Sequence, residues 1–440
     1  SAIVGMVEHG ACAPNGVVLE RQRSPVLIFI ENTPRAYAWG SRDALAELLG
    51  TPITGEPQAE LWLGAHPGHP ATVAKASPSK QSLIDLIASD PERYGVDGGP
   101  LPFLLKVLAI GAPLSLQVHP NRAQAIAGYA AEDAAGIPRD AIERNYGDPN
   151  HKPELLVALS EVTALSGFRP LAEARQELLT LAALSRGESS NALARVADRL
   201  VRGDDETLRR DYLDWAFSDD PLVGDALTAL AAAAEVIEAS GELDPERVAV
   251  LRALSATHPG DPGILVSQLL HVVRLAPGEA IYLAARQLHA YLGGVAVEVM
   301  AASDNVLRAG LTEKHVDAAE LCRIVDPGEL SEPRFIPTEL APGLTAWRPP
   351  VPDFQLLRAR LHDDVEPEPL GGLVVSAPEV AINASHPIVL VVTRGRVRIE
   401  RRAGLNEVAS VRRGQSLYVS AGETIHLTGA GEVFLATVAT

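Results

Sequence analysis

The sequence predicts a mainly β protein with an α-helical insertion: two jelly-roll β-barrels plus an all-helical domain. Three observations predict it. Short aliphatic runs broken by Gly and Pro fill roughly residues 25–169 and return from 276 to the end. Between about 171 and 275 the texture changes to Ala, Leu, Arg and Glu at helical spacing. Finally, one turn–strand–turn pattern occurs twice, as P-G-E-A-I-Y-L-A-A at 277–285 and R-G-Q-S-L-Y-V-S-A at 413–421.

Taken in order, residues 1–25 read as an N-terminal segment and the apolar run Val26–Ile30 as a strand entering the first barrel. Leu101–Leu108, Leu114–Val118 and Leu155–Leu159 read as strands, with helices over Ala44–Leu49 and Ser82–Ile87. In the helical stretch Leu178, Leu179, Leu181 and Leu184 share one face. Leu193, Val196, Leu200 and Val201 share another, and Leu227, Leu230, Ala231 and Ala234 continue the pattern. Pro259–Gly263 breaks the run, and a last helix is expected over Ile264–Val273. Strands resume at Ala280–Leu283, Val295–Met300, Ile388–Val392, Arg396–Glu400, Ser416–Val419 and Val433–Val438. Their spacing suits antiparallel barrels, which close strand edges that would otherwise aggregate. In the repeated pattern Gly278 matches Gly414, Tyr282 matches Tyr418 and Ala285 matches Ala421 at one constant offset. A histidine follows each copy, His289 or His426, out of register by one. The expected division is a discontinuous first barrel (26–169 and 276–325), a helical insertion (170–275) and a C-terminal barrel (326–440).

The chain has 440 residues, 47 % of them hydrophobic and 21 % charged, which is enough for a sizeable core and excludes intrinsic disorder. Only 4 % are aromatic, so aliphatic side chains must fill that core. Acidic residues number 56 and basic residues 38, for a net charge of −18. Such a surface repels nucleic acid and anionic membranes, although a few local cations can still reverse the sign inside a cleft. The two cysteines, Cys12 and Cys322, form no C-x-x-C and fit reduced thiols. No apolar run near the start approaches the about 20 residues a membrane span needs, and no signal-peptide pattern is present. The expectation is a cytoplasmic protein.

Three short segments could carry chemistry. In Q-V-H-P, Gln117 and His119 stand two apart on a strand and share a face; taken alone, a strand-end His before a turn-making Pro explains it as well. In N-H-K-P-E, Glu154 opens an apolar run, which is costly unless the carboxylate is paired or bound to a metal; a solvated charged turn is the plain alternative. In Q-L-H-A-Y, His289 follows the repeated turn, where a small barrel has its mouth; a core histidine is the plain alternative. Jointly, two imidazoles, a carboxylate and a carboxamide oxygen form an N2O2 set suited to zinc or, less selectively, another divalent first-row ion. The run Glu298–Lys314 adds Glu298, Arg308 and Lys314, and with Lys106 and Lys152 these could form the local basic exception.

These segments resemble the type I mannose-6-phosphate isomerases, zinc enzymes of the cupin superfamily. The matching blocks are Y-A-W-G-S (37–41), A-E-L-W-L-G-A-H-P (59–67), P-F-L-L-K-V-L (102–108), P-L-S-L-Q-V-H-P (113–120), H-K-P-E (151–154), A-L-S-G-F-R-P (164–170), H-A-Y-L (289–292) and Glu298–Lys314. They cover roughly residues 30–320; beyond 330 only barrel character matches. The resemblance implies two cupin-type barrels and one Zn2+ held by Gln117, His119, Glu154 and His289. It assigns an essential arginine to Arg308 and a carboxylate beside the reacting carbons to Glu298. Lys152 and His151 fall on positions implicated in catalysis, and Ser115, Lys106 and Lys314 on phosphate positions. Trp39, Glu60 and Trp62 match pocket positions. One departure is A-A-R-Q-L-H before His289, which alters the turn and leaves the ligand in place.

The implied reaction interconverts mannose 6-phosphate and fructose 6-phosphate through a cis-enediol, with zinc as Lewis acid and template. Glu298 is the expected base, Lys152 a second candidate, and His151 or a zinc-bound water the candidates for opening the sugar ring. The partner is a small phosphosugar; no protein partner is evident and a monomer is expected. A non-catalytic metal-binding cupin would have a broken ligand set or lack Arg308. An iron oxygenase would have a His-rich facial set. Neither pattern is found in this sequence.

Overall fold

The strand Phe103–Ile110 reads F-L-L-K-V-L-A-I and is buried along its whole length. Side chains alternate across a strand, so both of its faces must be covered. Phe103, Leu105, Val107 and Ala109 pack into a core shared with Trp347, Phe354, Val389 and Phe434 from the far end of the chain. Leu108 and Ile110 pack instead with Leu156, Ala158, Val162 and Ala296. One face therefore joins two barrels, and the other lines the lumen of the first. Lys106 is the single polar residue in the run, and it falls on the lumen side.

The computed structural model describes residues 27–74, 81–236, 242–362, 376–402 and 407–439. The N-terminal segment 1–25 and Cys12 lie outside the described residues. Among the described residues the paired strands run antiparallel and form one 9-stranded and one 10-stranded assembly. Between them come helices Leu171–Leu184, Gly187–Asp198, Asp205–Ala216, Pro221–Val236 and Pro245–Thr257. Leu178, Leu193, Leu213, Leu230 and Leu254 build the helical core, which runs on into Leu165, Leu288 and Leu307 of the first barrel. The architecture is the expected one, mainly β with two barrels and a helical insertion.

Four elements differ from the sequence reading. The strand Leu27–Glu31 pairs with Ser416–Val419 and so belongs to the assembly of the second barrel. It covers one edge of Ser416–Val419, whose other edge pairs with Ile388–Arg401; an open edge there would expose unpaired backbone groups. The expected helix Ile264–Val273 stops early, as Gly263–Ser267, and Leu270–Leu275 is a strand paired with Val162–Phe168. Its L-H-V-V-R-L sequence carries two β-branched residues that suit a pleated surface. Only Gln117–Val118 of the expected Leu114–Val118 joins a ladder, while the Leu114 and Leu116 amides donate to Tyr291 and Gly310 carbonyls. The runs at 388–392 and 396–400 merge into one strand, Ile388–Arg401, with an irregularity between Val392 and Arg394.

The internal repeat extends further than its two short copies. His289–Ala301 and Ile425–Thr437 are strands of 13 residues each, at the same offset as the repeated turns. Gly278 and Gly414 both adopt left-handed φ, 92° and 81°, where a side chain is strained. A one-residue slip on a strand sends a side chain to the opposite face. His426 accordingly leaves the second lumen and meets Glu379 at 2.7 Å on the outside.

Phe434 is 1 % exposed and sits in the core between the barrels. Phe434→Ala is expected to destabilise the protein by about 3–5 kcal/mol in denaturant titration, because both the transfer term and the cavity term apply.

Candidate active site

Strand register assembles the site. Arg308 lies opposite Gln117, and Gln117 opposite His289, so three strands bring one residue each to a single row. A second row runs Trp62, Lys106, Glu298. Residues directly opposite each other share a face, and here that face is the lumen. Glu154 enters from the strand Glu154–Ala158, on the other side of His289–Ala301.

His119 and His289 are fully buried and converge on Glu154. Their Nε2 atoms lie 3.4 and 3.5 Å from its two carboxylate oxygens. The Nδ1 atom of His119 is 2.7 Å from the Asn305 carbonyl, and that of His289 is 3.0 Å from the Gln287 carbonyl. A carbonyl can only accept, so both protons sit on Nδ1 and both Nε2 atoms carry lone pairs. Those lone pairs have no hydrogen-bond donor among the described residues. Two imidazole lone pairs aimed at a carboxylate repel it unless a cation lies between them. The donor atoms of His119, Glu154 and His289 fall within 4.8 Å of one another, and Gln117 borders the same cavity. The residues fit a divalent first-row metal ion.

The surrounding charges are arranged to match. Burial opposes ionisation of Glu154, but Lys152, 3.0 Å away, overcomes it and holds the carboxyl well below the usual range. Burial pushes His119 down to about 4, which keeps the ring neutral. Glu298 behaves in the opposite way. Burial, and then the charge of Glu154, raise its pKa despite Lys106 at 3.2 Å. Tyr291 donates to Glu298 at 3.0 Å, and burial beside these carboxylates keeps its phenol protonated. Burial works to lower Lys106, but Glu60, Glu298 and Glu154 outweigh it and raise it.

A cavity of about 540 Å³ opens over this floor. It is lined by Trp39, Glu60, Trp62, Lys106, Ser115, Gln117, Lys152, Glu154, Glu298, Arg308 and Lys314, all of them expected from the sequence. Arg308 and Lys314 have no ion-pair partner among the described residues. Burial lowers both, and Arg308 further lowers Lys314, as befits two cations awaiting an anion.

Two expected residues have protein partners. Lys106, expected on phosphate, lines the cavity 3.2 Å from Glu298 and 5.1 Å over the Trp62 ring, among three carboxylates. His151 is absent from the cavity lining, and its Nε2 lies 2.8 Å from Asp353. The turn before His289 carries an unusual backbone. Arg286 takes a left-handed φ of 73°, and its amide donates to the His119 carbonyl at 2.7 Å. Its side chain donates to Ile324 at 3.0 Å, which offsets the strain.

Sequence reasoning gave no role to Tyr291 and His258, which also line the cavity with Asp304 of the Glu298–Lys314 run. Tyr291 was within reach, since it stands two residues from His289 on one strand. His258 follows a helix of the insertion and gave no signal.

A family model described as phosphomannose isomerase type I, catalytic domain, matches residues 27–171. A mannose-6-phosphate isomerase of Escherichia coli is 43 % identical over 296 residues, covering 66 % of this chain and 72 % of that protein. One of Rattus norvegicus is 31 % identical over 413 residues, covering 89 % and 92 %. The chain belongs to the type I phosphomannose isomerase family. A zinc-bound crystal structure of mannose 6-phosphate isomerase superposes with a TM-score of 0.80 at 33 % identity, covering 94 % of this chain and 100 % of that one. In type I phosphomannose isomerase terms, the 27–171 match includes Gln117, His119 and Glu154, while His289, Glu298 and Arg308 come from beyond the helical insertion.

Protons compete with a metal ion for imidazole and carboxylate. Because burial holds His119 at about 4, divalent-ion affinity should still be falling between about pH 5 and about pH 4 as His119 takes up its proton. Competition with a chelating dye across that range measures it.

Proposed function

We propose that this chain is a zinc-dependent aldose–ketose isomerase that interconverts mannose 6-phosphate and fructose 6-phosphate through a cis-enediol. The observation that carries the reading is one cavity with a His–Glu–His metal set at its floor, a carboxyl of raised pKa beside it, and two cations lacking a partner.

His119, Glu154, His289 and Gln117 would hold the ion. Bound there, zinc supplies a Lewis acid that polarises the sugar carbonyl without redox chemistry. The remaining work falls to side chains. Arg308 and Lys314, with Ser115, bind the phosphate end and the oxygens on which charge develops. Glu298 takes the proton from C2 and returns it to C1, or the reverse, so the balance closes without any oxidant. A carboxyl raised toward neutrality suits that exchange better than an ordinary one. Lys106 at 3.2 Å keeps Glu298 ionisable, and the Tyr291 hydroxyl fixes its second oxygen at 3.0 Å. Lys152, tied to Glu154, is the second cavity base. Trp39 and Trp62 wall the sugar and exclude water. His151 has no part in ring opening by direct contact in this reading, because Asp353 occupies its Nε2.

The first barrel forms the catalytic unit with a wall from the insertion, and the second barrel covers its outer face. No helix among the described residues is long and apolar enough to cross a membrane. We read the protein as a cytoplasmic monomer whose partner is the phosphosugar alone. A non-catalytic cupin reading would leave Arg308, Lys314 and the raised Glu298 without a purpose.

Chelation is expected to abolish coupled isomerase activity, and zinc add-back to restore it; activity that survived complete metal removal would overturn the reading. Glu298→Gln should retain zinc and lower kcat by about 100-fold or more, since it removes a general base. Turnover equal to wild type with zinc in place would remove Glu298 from that role.

A further inference from the structure

The loop before the strand Gln355–Leu361 reaches from the second barrel toward the metal-binding segment of the first. Phe354 is fully buried in the core between the barrels and anchors the loop there. Its neighbour Asp353 is only 5 % exposed. One carboxylate oxygen of Asp353 lies 2.8 Å from His151 Nε2, and the other lies 3.3 Å from Arg122 Nη2. A buried carboxylate persists only with such partners.

His151 opens the segment H-K-P-E. Residues 151–153 belong to no helix or strand; the Ala301 amide donates to the Pro153 carbonyl at 3.1 Å, and side-chain bonds hold the rest. The first barrel supplies one hold. Asn305 Nδ2 donates to the carbonyls of Asp148 and Asn150 at 2.7 Å each, while the Asn305 carbonyl receives His119. The strand beginning at Glu154 supplies another. Between these two points the His151 amide donates to Asn150 Oδ1 at 3.0 Å, and His151 Nε2 meets Arg122 at 3.0 Å and Asp353 at 2.8 Å; of these partners Asp353 is the one that comes from the second barrel. Lys152, the next residue, must place its ammonium 3.0 Å from Glu154 at the cavity floor.

We propose that Asp353 is a positioning residue. It clamps His151 from the second barrel, and so holds Lys152 and Glu154 in their working geometry; the second barrel thereby completes the site of the first. His151 Nε2 lies 2.8 Å from Asp353 and 3.0 Å from Arg122 Nη2, and Asp353 also meets Arg122, so the carboxylate ties both side chains into one cluster. The proposal rests on the isomerase reading only for its kinetic arm.

The test uses the full-length zinc-loaded protein with Asp353→Ala, Asp353→Asn, His151→Ala and the double variant Asp353→Ala/His151→Ala. Loss of a partner that orients a site residue typically costs about 10- to 100-fold. Asp353→Ala is expected to lower kcat by about tenfold or more, with KM within about twofold and zinc content unchanged. The double variant should be no slower than the slower single one, because the two residues act as one unit. Long-range 1H–15N NMR should find the His151 Nε2 signal changed between wild type and Asp353→Ala, and an unchanged signal would count against the clamp. Asp353→Asn, which keeps the shape, should fall between wild type and Ala. Wild-type kcat in Asp353→Ala, or losses that multiply in the double variant, would overturn the proposal. So would a loss that merely tracks lowered zinc content or melting temperature. If wild type itself had no isomerase activity, the isomerase reading would fail while the NMR arm still judged the clamp.

Discussion

The structure turns on one buried carboxylate. Glu154 is 2 % exposed, at the head of a strand whose other residues are all apolar. An unpaired charge there would cost several kcal/mol. It is kept ionised by Lys152 and faced by two imidazole nitrogens that offer lone pairs in place of protons. Such an arrangement is poor in energy by itself and good once a cation is bound. The constraint propagates outward. His119 and His289 need carbonyl acceptors at Nδ1, so Asn305 and the turn at Gln287 must hold their places. That turn is where Arg286 accepts a left-handed backbone.

A polar lumen leaves the first barrel short of the apolar interior that would stabilise it alone. Lys106, Glu298, Glu154, Gln117 and both histidines occupy positions that aliphatic side chains would otherwise fill. The outer faces of its strands compensate. Phe103, Leu105 and Val107 bury themselves against the second barrel, and Leu165, Leu288 and Leu307 against the helices. Moving the hydrophobic burial outside the barrel frees the inside for chemistry. In this light the insertion and the second barrel are part of how the site is afforded; His258 of the insertion lines the cavity, and Asp353 of the second barrel meets His151 beside Lys152.

What could be read in the sequence follows from how local each signal was. The barrel strands and helices were visible as alternation and helical spacing, and the metal set as three short polar words in apolar surroundings. The helix expected over Ile264–Val273 failed at its second half because L-H-V-V-R-L fits both periods over so short a span. The first strand was assigned to the barrel next to it in sequence, yet Ser416–Val419 claims it across nearly the whole chain. Lys106 was placed on phosphate by the resemblance, and its pairing with Glu298 became visible only in the register of two strands. Asp353 carried no signal at all, since its meaning lies in His151, about two hundred positions away.

The net charge of −18 is a property of the surface, and it says little about the ligand. Electrostatic interactions are much stronger inside a cleft of low dielectric than across water. Lys106 and Lys152 are spent on Glu298 and Glu154, so the positive exception narrows to Arg308 and Lys314. Burial lowers both, Arg308 further lowers Lys314, and among the described residues neither has a carboxylate to relieve it. A surrounding acidic surface sharpens this choice. It repels polyanions and large anionic faces at long range, while a small dianion that enters the cavity meets two uncompensated cations at close quarters. Selection of a small phosphate ester over a polymeric one therefore needs no separate recognition element, only the contrast between a screened exterior and an unscreened interior.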